Sequence, residues 1–185
     1  MAMNRFPLEQ YATLELNQVA FPKTGMVVSQ TPLGAAFTKD APCENGMWVV
    51  ADQAAGAINA PAAVTDKPIG IVYTAEKEYD SAHYGLKTFG RKIAGDYPRV
   101  GILGVGDTVT TNCLQYNTSN FADDAALDAA LKAIATTPLY VGISAGSAVP
   151  EILKAAPANG IYGKIVKYYT VPNGEKGVKY QIIRV

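Results

Sequence analysis

Gly142-Ile143-Ser144-Ala145-Gly146 is the stretch of this chain that matches a known nucleophile motif, G-x-S-x-G. In such an elbow the glycines let a strand turn sharply into a helix, which lifts the serine hydroxyl over an oxyanion hole. An apolar strand precedes Ser144, and a short helical turn is predicted over Val149–Ala155, so half of the context is present. The base is missing from its place. Serine, acid and histidine follow in that order in the elbow fold, whereas the single histidine, His83, precedes Ser144. A serine without a base stays protonated and weakly nucleophilic. Ser144 therefore reads as part of a glycine-rich turn at a strand end.

The other candidates weaken in the same way. Gly101-Ile102-Leu103-Gly104-Val105-Gly106 matches neither phosphate-binding fingerprint, and Asp107-Thr108-Val109 continues as a strand where a helix should open. His83 sits in a polar loop, Tyr79-Asp80-Ser81-Ala82-His83-Tyr84, without further ligands at metal-binding spacing. Asp123 and Asp124 are adjacent, so on a helix they diverge, and helix capping accounts for them better than acid–base chemistry. Cys43 and Cys113 are too few for a disulfide framework and read as reduced, semi-buried residues. The expected sets of catalytic, cofactor-binding and metal-binding residues are all empty. Tyrosine stands out instead, with 11 Tyr against 5 Phe and 1 Trp. Its apolar body and polar tip suit half-buried contacts, and Tyr79, Tyr84, Tyr97, Tyr116 and Tyr162 lie in or beside predicted loops. The plainer reading is that they cover sheet faces.

The elements that would position these residues are mostly strands. Short runs rich in Val, Ile and Tyr recur between Gly, Pro and Asn. They predict strands over Ala12–Val19, Gly25–Ser29, Trp48–Asp52, Ile69–Thr74, Leu86–Ile93, Tyr97–Leu103, Thr108–Leu114, Leu139–Ile143, Ile161–Val171 and Val178–Arg184. Pro172-Asn173-Gly174 joins the last two as a hairpin, because Asn-Gly supplies the positive φ that the turn needs. One helix is predicted from about Ala122 to Ala135, capped by Asn120, with Leu127, Leu131 and Ile134 as its apolar stripe. Residues 54–66 read as a connection. The expected fold is mainly β, a sandwich or barrel of short strands with one inserted helix.

Residues 1–43 read as an N-terminal arm with the first strands, and residues 44–185 as a β-rich core domain. An internal echo runs through the core. Asn45-Gly46-Met47-Trp48-Val49-Val50 parallels Val105-Gly106-Asp107-Thr108-Val109-Thr110, and Pro68-Ile69-Gly70-Ile71 parallels Tyr140-Val141-Gly142-Ile143. Two explanations stand: a duplicated β unit with a helix inserted in its second copy, or a chance likeness of glycine turns.

Composition narrows the function classes. The 16 basic and 16 acidic residues give a formal net charge of zero, which argues against a nucleic-acid binder. Only 17% of residues are charged, so like-charge repulsion protects the chain weakly against association, as suits a protein packed against partners. The start Met1-Ala-Met-Asn-Arg-Phe-Pro lacks signal-peptide features, and no apolar run approaches the roughly 20 residues that span a bilayer. Synthesis in the cytoplasm as a soluble protein is expected, with no membrane partner. Asn117-Thr118-Ser119, a glycosylation sequon, would then stay unmodified.

Residues 44–114 carry a resemblance. They run Glu-Asn-Gly-Met-Trp-Val-Val-Ala-Asp, then Lys-Pro-Ile-Gly-Ile-Val-Tyr, then Tyr-Pro-Arg-Val-Gly-Ile-Leu-Gly-Val-Gly-Asp-Thr-Val-Thr-Thr-Asn. This order resembles the capsid decoration and head-stabilising proteins of tailed bacteriophages: a glycine turn opening a strand, a variable segment, an Ile-Gly-Ile/Val strand, and a Gly-Asp-x-Val turn into another strand. The likeness extends to about residue 145 and leaves out the first 40 residues and the C-terminal hairpin. It implies a structural protein of the outer capsid surface that is not an enzyme and needs no cofactor. It also implies a homotrimer at three-fold or quasi-three-fold positions, bridging neighbouring major capsid protein subunits. Binding only the assembled lattice would stabilise that lattice by mass action. A head-fibre base or other virion surface protein is the nearest alternative. From other classes come a small serine hydrolase using Ser144 and a β-sandwich binding module of a host. A catalytic base beside Ser144 would favour the hydrolase, and a groove of clustered aromatics would favour the binding module.

Overall fold

The computed structural model of the chain describes residues 2–7, 12, 14, 27–28, 31–74, 91–170 and 174–185. Eleven strands and one α-helix occupy them, so the fold is mainly β. A seven-stranded sheet contains β1 (Met3–Arg5), β6 (Thr108–Thr111), β7 (Gln115–Asn117), β8 (Tyr140–Gly142), β9 (Glu151–Leu153), β10 (Tyr162–Thr170) and β11 (Lys176–Arg184), in the order β1-β7-β9-β8-β10-β11-β6. A four-stranded sheet holds β2 (Val27–Val28), β3 (Trp48–Val50), β4 (Ile69–Val72) and β5 (Val100–Ile102), in the order β2-β5-β4-β3. All neighbours are antiparallel except β7 and β9.

Alternation along the small sheet builds two cores. Trp48 and Ile71 lie opposite each other and face the large sheet, where they join Val109, Val141, Ile165, Tyr180 and Ile182. Val49, Val72 and Val100 face the other way and bury Leu33, Phe37, Cys43, Ile58 and Met47. The period-2 geometry of a strand is what lets one short sheet serve both clusters. Phe6, Leu14, Leu33 and Phe37, all within the predicted arm, are buried in these cores.

The helix α1 (Asp124–Lys132) closes the first core with Leu127 and Leu131. Its start differs from the prediction. Asp123, not Asn120, caps it by accepting a hydrogen bond from the Ala126 N–H at 2.8 Å. Asn120 belongs to the preceding turn, where its N–H donates to the Asn117 carbonyl. Ile134 lies past the helix end and packs on the core half-buried. The helical turn predicted over Val149–Ala155 is instead strand β9, because Glu151–Leu153 finds partners on both sides, β8 and β7. The strands β1 and β7 were not predicted. Predicted strands Ala12–Val19 and Leu86–Ile93 lie mostly outside the described residues. Their described parts make bridges, Leu14 with Thr111 and Lys92 with Cys43. No helix among the described residues is long and apolar enough to cross a membrane.

The echoing turns share geometry but not placement. Gly46 and Gly106 both adopt positive φ, 90° and 98°, one residue ahead of β3 and β6. A Cβ on Gly46 would stand 2.5 Å from the Cys113 Cβ, so only glycine fits there. The strands β3 and β4 pair directly, whereas β10 and β11 stand between β8 and β6.

Candidate interaction surface

Ser144 follows β8 in a tight turn closed by the Ser147 N–H on the Ser144 carbonyl at 3.0 Å. The chain then returns as β9, with Glu151 opposite Gly142. A nucleophile elbow needs a helix at this point and a strained backbone at the serine. Here a strand follows, and every positive φ among the described residues belongs to glycine. The Ser144 hydroxyl bonds to the Glu151 carboxyl, whose pKa burial raises and this bond partly lowers again. His83 lies outside the described residues, as do Tyr79 and Tyr84.

The remaining predicted residues separate. Asp107 is fully buried, and its carboxylate accepts the Gly104 N–H at 2.7 Å, fastening the Gly104–Gly106 turn. Its second oxygen has no hydrogen-bond partner, and burial raises its pKa. The Gly-Asp-x-Val stretch therefore uses its aspartate to shape a turn. Asp124 accepts the Tyr116 hydroxyl at 2.6 Å and Asp128 the Tyr168 hydroxyl at 2.5 Å, so the helix acids hold aromatic tips. Cys43 and Cys113 are fully buried rather than semi-buried, and burial pushes the Cys113 thiol up to about 12. No group of three or more His, Cys, Asp or Glu among the described residues could hold a metal ion.

The interface tyrosines divide as well. Tyr97 is 61% exposed in its loop, whereas Tyr116 is buried on β7, where pairing with β1 and β9 draws it into the core. Tyr162 stands half-buried on β10, its ring edge-on to Tyr140 with centroids 5.9 Å apart.

Tyr162 and Tyr140 belong to the outer side of the large sheet, facing away from the helix and the small sheet. Register builds this face. Ile165 and Tyr180 form an inward pair, so the flanking pairs Lys164 with Gln181 and Lys167 with Lys179 point outward. A bulge between Ile165 and Lys167 leaves Val166 half exposed, and Ile183 beyond Gln181 is 41% exposed. The Lys167 ammonium lies 5.1 Å from the Tyr169 ring centre. Arg184 closes one end: its guanidinium sits 4.7 Å over the Tyr162 ring and donates to the carbonyls of Pro157, Ala158 and Gly160 at 2.7–3.0 Å. The alternation Lys164-Ile165-Val166-Lys167 hinted at two-faced character, but the partner lysine across the strand pair was not readable locally.

A second polar group escaped the sequence reading. Glu44, buried, receives Arg5 at 3.2 Å, Arg91 at 3.4 Å and the Ala12 N–H at 3.3 Å. It lines a cavity of about 390 Å³ together with Phe37, Ser147 and Val149. These contacts, two hydrogen bonds from Arg5 and Ala12 and an ion pair with Arg91, draw β1, Ala12 and Arg91 onto one carboxylate. A larger groove of about 660 Å³ runs between the helix and the β10–β11 hairpin, lined by Phe6, Asp128, Tyr168 and Lys176.

No protein-family model, curated protein or solved structure matches the chain.

Proposed function

We propose that the chain is a structural protein of the virion, a decoration protein that binds the outer surface of an assembled tailed-phage capsid and stabilises it. The observation that carries this reading is the order of turns and strands across residues 44–114. Gly46 opens β3, Ile69–Val72 forms β4, and the Gly106-Asp107 turn opens β6. The fold supports it too, because short paired strands with tight turns give a rigid body that can carry contact surfaces. The reading treats Ser144 as structural: its turn is not an elbow, and its carboxyl partner is a weak base without an imidazole between them. A fluorophosphonate probe should leave Ser144 unlabelled in the native protein, and stoichiometric labelling would favour the hydrolase.

The working form is a homotrimer, the closed symmetry that a three-fold site on an icosahedral shell selects. Light scattering should give three times the chain mass. The purified protein should co-sediment with expanded capsids built from the major capsid protein, and should raise the temperature at which they rupture. A strict monomer that never co-sediments would remove the proposal.

A further inference from the structure

We infer that the outer face of the β10–β11 hairpin is a docking surface for an acidic protein surface. The inference rests on the capsid reading only for the partner's identity.

Lys164, Lys167 and Lys179 share this face, and no carboxylate among the described residues lies within ion-pair distance of any of them. Lys167 stands directly opposite Lys179 in the register, an arrangement that repels across a strand pair. The fold makes no use of the repulsion. Lys164 and Lys167 are exposed and Lys179 is half-buried, and the outward position beside Lys179 carries the neutral Gln181. Three cations elsewhere do meet carboxylates, Arg5 and Arg91 at Glu44 and Lys132 at Asp128. The carboxyl on this side of the sheet, Glu151 on β9, is turned to the Ser144 hydroxyl. Positive charge of one sign on an open sheet face calls for carboxylates on the molecule that covers it.

The apolar groups between the lysines point to a polypeptide. Val166 and Ile183 are half exposed, and the half-buried Tyr140 and Tyr162 lie on the same face, packed edge to face on each other. Aromatic and aliphatic groups among steering charges are the composition of protein interfaces. A nucleic acid would be met less well. The chain has no net charge to draw a polyanion from a distance, and Arg184, the arginine at this face, is committed to three backbone carbonyls.

The test uses the full chain with fluorescein-labelled poly-L-glutamate and, separately, a DNA duplex of equal total charge. Poly-L-glutamate should bind at low salt, bind at least tenfold more weakly to K164Q/K167Q/K179Q, and show no binding to K164E/K167E/K179E. Circular dichroism and melting temperature check that both variants fold. Because the glutamine variant removes the repulsion, it should melt no lower than the parent and keeps the test decisive if the glutamate variant fails to fold. No binding of poly-L-glutamate to the parent, equal binding by parent and glutamine variant, or tighter binding of the duplex would each overturn the inference. Co-sedimentation with capsids separates the two readings. Binding to poly-L-glutamate through this face without capsid binding removes the decoration proposal alone. Capsid binding unchanged by the glutamine substitutions removes the docking face alone.

Discussion

Trp48 donates its indole N–H to the Tyr180 hydroxyl at 3.0 Å, and the two rings meet edge to face with centroids 6.0 Å apart. Both side chains are fully buried, one on each sheet, so this bond fixes how the sheets sit together. Tyr180→Phe leaves the indole donor without an acceptor and should cost about 1–3 kcal/mol in urea denaturation. An equal loss in a Trp48→Phe background would show that the bond contributes nothing. Asp107 gives a second test at the residue scale. Its folded pKa is raised by burial, so its favourable contribution is complete below the unfolded pKa of about 3.9. That contribution fades as pH rises through the folded value, because the charged form is the one the buried turn disfavours. Asp107→Asn cannot ionise and can still accept the Gly104 N–H through its amide oxygen. Its stability relative to the parent should therefore rise between pH 3 and pH 7, and a difference independent of pH would refute the assignment.

Elements show which parts of the fold local sequence decides. Leu131 is buried on the helix, against the core under the large sheet. Leu131→Asp places a charge in the apolar core and should destabilise by several kcal/mol, read as a large drop in melting temperature. An unchanged melting temperature would mean that the helix does not pack. The helix and most strands were legible, because the Leu127/Leu131 spacing and the Val, Ile and Tyr runs bounded by glycine are local signals. The three-residue strands β7 and β9 were not. So short a run has no period, and Gln115–Asn117 and Glu151–Leu153 become strands only through each other and through β1 and β8. The candidate surface was half legible for the same reason. Lys164, Ile165 and Lys167 lie together in sequence, but Lys179 joins them only through the register, which a bulge displaces by one residue.

At the scale of the whole molecule, the two hydrophobic clusters share their walls. Trp48 and Val49 are adjacent in sequence yet enter different cores, as do Cys113 and Leu114. Neither cluster can open without moving backbone that the other depends on. The C-terminal edge is tied in as well, since Arg184 holds Pro157–Gly160, and Gly160 lies so close to Val64 that a Cβ would stand 1.9 Å from its carbonyl oxygen. The chain should therefore unfold as one cooperative unit despite its two cores. The indole of Trp48 reports the first core by fluorescence, far-ultraviolet circular dichroism reports all the strands, and Phe37→Ala weakens the second core alone by about 3–5 kcal/mol. In this variant both signals should shift together to lower denaturant with the same midpoint. Separate midpoints, with Trp48 fluorescence unmoved, would show two independently stable halves and would recast the shared sheet as a joint between domains.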